Sequence, residues 1–229
     1  MLLIVVAALL VILLTRHPAE PAPAPPPKAS HPTTAVRRPK PARPRRVVDL
    51  GEAEGHLPQT QTVPSSTSAR FRSQMASLWD AVVRNDARLG RPAFFPRSAY
   101  EQLKAIPNAG GDWENRLFGD FALDVAAAHE LVAGDPASAK LVEVHVVDSY
   151  AHWIAPGVCA NSIGYYEMPN ARVVYDYRGG EHSFGIASMI SWRGVWYVVH
   201  LGAILRETSG GVVDEAASGP GTSAYSGTC

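Results

Sequence analysis

The groups in this chain able to move protons or hold metal are a set of spaced histidines, a few strand carboxylates and two cysteines. Five of the eight histidines fall in the aromatic-rich part of the chain: His129, His145, His152, His182 and His200. None stands in an HxH, HxxxH or HExxH pattern, and His129-Glu130 lacks a second histidine. The spacings that put two imidazoles on one face of a strand or helix are therefore missing, and no metal or other cofactor is expected. For acid–base chemistry the candidates are Asp148, Glu167, Asp176, Glu181 and His200, with His200 the leading catalytic base. The ordinary reading of each histidine is a packed or surface side chain. Cys159 and Cys229 are the only cysteines. A disulfide between them would fix a loose C-terminal tail, and closing so long a loop stabilises by about 4 kcal/mol. It would also require an oxidising compartment. Two free thiols are the alternative.

These groups need elements to position them. Phe71, Met75, Leu78 and Val82 recur at helical spacing over Ala69 to Leu89, behind Ser66, Thr67 and Ser68 as caps. Ser98-Ala99-Tyr100-Glu101 reads as a capping box opening a short helix that ends before Pro107. Trp113, Leu117, Phe121, Val125, Ala128 and Val132 make one stripe from Asp112 to Ala133, closed by Gly134. From Ala139 the period becomes two. Val142, Val144 and Val146 share a face, and strands follow at Ile163 to Met168, Arg172 to Tyr177, His182 to Trp192 and Val195 to Leu205. Met168 to Ala171, Gly179-Gly180 and Arg193-Gly194 read as the turns between them. Helices followed by an antiparallel meander give an α+β domain, a sheet curled on a helical layer. Phe184, Ile186, Ser188, Ile190 and Trp192 alternate onto one face of the long strand. Trp196, Val198 and His200 alternate onto one face of the last. The expected ligand pocket is Phe184, Ser188, Trp192, Trp196 and His200, against the plainer reading that these side chains fill the core. Tyr165, Tyr166, Tyr175 and Tyr177 read as cross-strand packing. The segment Ala151-His152-Trp153-Ile154-Ala155-Pro156-Gly157 places Trp and Ile in what reads as a loop, either covering the pocket or marking a partner surface.

A helical first half, then a long-stranded meander ending in Trp192-Arg193-Gly194-Val195-Trp196-Tyr197-Val198-Val199-His200, resembles the NTF2-like cone fold. The resemblance implies a curved sheet wrapped on helices. Members of that superfamily include isomerases, dehydratases and non-catalytic binding or assembly modules. Their enzymes place an Asp-His pair or a lone acid in the cone, and no such pair maps residue by residue onto this chain. The stretches Phe94-Phe95-Pro96-x-Ser98-Ala99-Tyr100 and Gly185-Ile186-Ala187-Ser188, with the Ala-Pro-Arg tether, are also similar to an uncharacterised group of membrane-anchored actinobacterial proteins.

The first 65 residues are of another kind. All 19 Phe, Tyr and Trp lie from Phe71 onward, and 12 of the 19 prolines lie between Pro18 and Pro64. A stretch without aromatics buries too little apolar surface to offset the entropy of ordering it. Leu2 to Leu14 are unbroken apolar, too few for the roughly 20 residues of a spanning helix but suited to a signal sequence or anchor. The expected basic flank is missing before it, so an upstream basic segment is anticipated. An uncleaved anchor is favoured over a cleaved signal, because Pro25 would follow the best small-x-small site, Ala22-Pro23-Ala24. Between Lys28 and Arg46 stand seven basic residues and no acidic one. They serve either to adhere to anionic lipid or cell-wall polymer, or to keep a solvated linker extended. A net charge of zero and the absence of any nucleic-acid motif exclude a nucleic-acid partner. The division is thus 1–17 anchor or signal, 18–65 disordered tether, 66–206 domain and 207–229 Gly/Ser/Ala-rich tail. The expected function is a membrane-tethered, extracytoplasmic binding or scaffolding module with an envelope protein or ligand as partner. The alternative is a small-substrate enzyme of isomerase, dehydratase or hydrolase type, with His200 as its base.

Overall fold

A computed structural model describes residues 50–204, 206 and 209–225, all within one compact unit spanning 46–229. The apolar run and the basic tether lie outside the described residues. No helix among those described is long and apolar enough to cross a membrane.

Folding begins earlier than the aromatic residues indicate. Leu50–Gly55 forms α1. Charge and capping hold it rather than a hydrophobic stripe. Glu52 accepts hydrogen bonds from the backbone N–H groups of Arg97 and Ser98, both at 3.0 Å. It thereby caps α3 (Arg97–Leu103), whose own N-cap, Pro96, offers no side chain for the task. Ser98 therefore lies inside the helix, and the expected capping box does not form. Glu54 binds Arg70 in α2 (Ala69–Arg84) at 2.7 Å, and Arg70 donates to the Tyr197 hydroxyl at 2.8 Å. The indole of Trp192 donates to the Glu54 carbonyl at 3.2 Å.

Helix α2 starts at Ser68, whose side chain accepts from Phe71 N, and stops at Asn85 in the left-handed conformation. Residues read as one long helix from Asp112 are in fact α4 (Ala109–Asp112), a π-turn (Trp113–Leu117) and α5 (Phe118–Glu130). The stripe survives this break: Trp113, Leu117, Phe121, Val125, Ala128 and Val132 are all 4% exposed or less.

The six-stranded antiparallel sheet comprises β1 (Lys140–His145), β2 (His152–Ile154), β3 (Tyr165–Tyr177), β4 (Gly180–Trp192), β5 (Val195–His200) and β6 (Asp214–Ser218). β3 and β4 form its centre. β1 and β2 share the outer edge of β3, and β5 and β6 share that of β4. Together with the helices this makes an α+β domain.

Two expectations about this sheet are corrected. Met168 to Ala171 does not end the strand; β3 continues through it, with Pro169 opposite Ser188 and Asn170 in the left-handed conformation. Proline lacks an N–H and is excluded from doubly paired strand interiors. Here β2 pairs with residues 165–167 and β1 with 172–176, so Pro169 sits in the gap between them. Second, the expected loop at 151–157 contains β2. The C-terminal tail is also more ordered than its composition implies. β6 pairs with β4, and the buried Arg172 guanidinium donates to the carbonyls of Glu215 (2.9 Å) and Pro220 (3.2 Å). Asp124, 1% exposed, gathers Gly202 N, Val212 N and Arg206 onto one carboxylate.

Candidate functional site

β3 and β4 place Glu167, Ile190 and Ser188 in neighbouring positions on one face, because Glu167 pairs with Ile190 and Ser188 lies two residues before it. β5 continues the row. Ser188 pairs with His200, but Met189 pairs with Val198, so Val199 is an extra residue in β5. That bulge puts His200 on the opposite face from Val198 and Trp196. The simple alternation expected for Trp196, Val198 and His200 is thereby corrected. α3 completes the wall. Just beyond it Ala105 N donates to Ala160 O at 2.8 Å, and Ser162 N to Leu103 O at 2.8 Å. Lys104 thus lies against the loop carrying Cys159 and donates to its carbonyl at 3.0 Å.

These elements enclose a cavity of about 110 Å³, on whose wall Glu167, Ser188, His200, Tyr165, Lys104 and Cys159 meet. Of the expected pocket residues, only Ser188 and His200 line it. Phe184, Trp192 and Trp196 are 1% exposed or less and belong to the core.

Glu167 is the chemically distinctive group. It is 3% exposed. Its Oε1 accepts from the Ser188 hydroxyl at 3.0 Å, whereas Oε2 is buried with no hydrogen-bond partner. Such oxygens are rare because each forfeits its hydration without replacement. His152 is paired with Glu167 across β2 and β3, its Nε2 3.4 Å from Oε2. His152 Nδ1 lies 3.0 Å from the Tyr150 carbonyl, which can only accept, so Nδ1 carries the proton. His152 Nε2 is thus the ring nitrogen turned toward Oε2.

Burial shifts the titration of three groups around the cavity. Burial, then the positive charges of Arg116, Arg206 and Lys104, pushes His200 down to about 4. Burial, then the charge of Glu167, raises Tyr165 to about 12. The Tyr165 hydroxyl accepts from Asn161 Nδ2 at 3.2 Å. Burial, followed by the charge of Arg116, also lowers Lys104. Glu167 Oε2 has the capacity to accept a hydrogen bond. An imidazole titrating near 4 is a weak base at neutral pH.

The other sequence candidates are dispersed. Asp148 is exposed and accepts from Ser66 Oγ at 2.9 Å. Asp176 and Glu181 face each other across the exposed β3–β4 hairpin. His129 contacts the Val82 carbonyl at 2.9 Å, and His182 stacks on Tyr175. Among the described residues no group of three His, Cys, Asp or Glu is arranged to hold a metal ion. Cys159 borders the cavity, but Cys229 lies outside the described residues, so their pairing remains a proposal. Tyr165 and Lys104 were missed by sequence reasoning. Tyr165 was legible, since Tyr165-x-Glu167 on a strand places both on one face. Lys104 was not, because its position depends on the α3 end meeting residues 159–162.

Comparison with known proteins found no match to any family model, curated protein or solved structure.

Proposed function

We propose that this chain is a membrane-tethered, extracytoplasmic, non-catalytic binding module, with the described domain built on the NTF2-like cone plan. Its cavity receives a ligand group of a few heavy atoms that donates a hydrogen bond to Glu167 Oε2. The observation carrying this reading is the buried, unpartnered Oε2 of Glu167, a residue that lines a small cavity of mixed polar and apolar side chains. Cavity size limits the ligand group to a few heavy atoms. At about 110 Å³ it is well below the roughly 300–1,000 Å³ of ordinary small-molecule sites. The apolar run 2–14 and the basic tether supply the membrane end of the proposal, and a Cys159–Cys229 disulfide would fit the oxidising side.

The enzyme reading has one observation in its favour: His200 and a carboxylate line the same cavity. The depressed basicity of His200 weighs against it as the base.

The test is thermal unfolding of the full chain with methylammonium or acetamide, with tetramethylammonium as the control that cannot donate. A ligand at 100 times its Kd stabilises by about 2.7 kcal/mol. The expected result is a rise in Tm with at least one donor, none with tetramethylammonium, and none with Glu167→Gln. Equal responses from donor and control, or from wild type and variant, would overturn the assignment.

A further inference from the structure

Four of the five tryptophans are core residues: Trp79, Trp113, Trp192 and Trp196 are 7% exposed or less. Trp153, in β2, is the fifth and is partly exposed. It lines an open groove of about 310 Å³ far in character from the Glu167 cavity. Trp153, Pro156 and Ile163 give the groove its apolar side, and Gln59, Gln61 and Ser162 its polar side. No residue lining it carries a charge.

The platform is held in place. A Cβ on Gly164 would fall 2.3 Å from Trp153 Cζ2 and 2.7 Å from Cε2, so the indole lies directly on glycine backbone that no other residue could supply. Tyr166 packs against it edge-on at 5.0 Å. The polar side is equally fixed. Gln59 donates to Ser191 O at 2.9 Å and accepts from Thr60 N at 3.0 Å and Arg193 N at 2.7 Å. The Ser162 hydroxyl donates toward the carbonyls of Gln102 (2.8 Å) and Leu103 (3.0 Å), which leaves its lone pairs to accept. Gln61 is exposed, and its amide can both donate and accept.

These features select a ligand class. A polyanion or a charged peptide would meet no countercharge here, and an aliphatic chain would leave the amide and hydroxyl side unmatched. A pyranose has an apolar C–H face and a rim of hydroxyls that donate and accept. The face suits an indole, which is a rigid apolar surface, and the rim suits planar amides and a serine oxygen. The groove lies at the lower end of the roughly 300–1,000 Å³ typical of small-ligand sites, which limits it to a short stretch of sugar.

We infer that this groove is a neutral-saccharide subsite, in which a sugar ring stacks on Trp153 and its hydroxyls bond to Gln61 and Ser162. The site is independent of the Glu167 cavity and goes beyond the tethered-binding reading. The probes are cellotetraose and chitotetraose, with tetragalacturonate as the charged control, titrated into the full chain and followed by tryptophan emission. The buried indoles are shielded, so Trp153 carries the signal. At least one neutral tetrasaccharide gives a saturable change. Trp153→Ala abolishes it, and Gln61→Ala, at an exposed position that leaves the fold intact, weakens binding about threefold or more. The inference is overturned if neither neutral probe saturates below about 10 mM. It is equally overturned if Gln61→Ala binds like wild type, or if tetragalacturonate binds more tightly than both.

Discussion

Replacing Glu167 by glutamine stabilises this protein. Oε1 is bonded to Ser188, while Oε2 has no hydrogen-bond partner and stands 3.4 Å from His152 Nε2. Glutamine keeps the shape and retains an oxygen for the Ser188 hydroxyl. It also removes the buried charge and turns an amide N–H toward His152 in place of the unpartnered oxygen. Relief of an unsatisfied buried acceptor is worth about 1–3 kcal/mol. For a domain of this size each kcal/mol moves Tm by about 2–4 °C, so Glu167→Gln raises Tm by about 2–12 °C. The assay is thermal unfolding by near-ultraviolet circular dichroism at neutral pH. The same variant loses the response to small donors, the expected exchange of function for stability at a binding site. A Tm unchanged or lowered would refute the reasoning, because it would mean that Oε2 is already satisfied in the native protein.

Three further outcomes follow from the same geometry. His200 is held near 4 when folded against an ordinary 6.5. The unfolded chain therefore binds the proton more readily between those values, and stability falls by about 3 kcal/mol as pH drops from 7 to 4. His200→Gln flattens that part of the urea-denaturation pH profile; an unaltered slope contradicts it. Asp124→Ala strips the partner from Arg206 and orphans two backbone N–H groups. It costs about 3–5 kcal/mol and speeds amide exchange across residues 209–218, whereas a change confined to α5 would contradict the assigned role. Thiol labelling of the protein from its native source is expected to find Cys159 and Cys229 unreactive until reductant is added. Two thiols reactive beforehand would place the domain in a reducing compartment.

Local signals made much of this fold legible, and their failures have local causes. The α5 stripe and the alternation of β4 are strong periodic patterns, and tertiary packing agrees with them. Pro169-Asn170 carries turn chemistry in isolation, but the break between β1 and β2 leaves a place where a strand tolerates a missing N–H. α1 has no hydrophobic stripe to announce it. It exists because Glu52 and Glu54 reach a helix start and an arginine far along the chain, contacts that no window around residue 50 contains. β6, Asp214-Glu215-Ala216-Ala217-Ser218, is poor in strand formers and is held largely by the buried Arg172. At the site, Glu167 and His200 were both visible as candidates. Their meeting was not, because it depends on one extra residue in β5 that reverses the face of His200. Aromatic side chains expected in the pocket went to the core instead, where their large area is worth most.

The most direct test of the account is a high-resolution crystal structure of the full chain purified from its native source. The account predicts density larger than a single water in the Glu167–Ser188–His200 cavity, with a donor atom within about 3 Å of Oε2. An empty, closed cavity in which a protein group donates to Oε2 would contradict it.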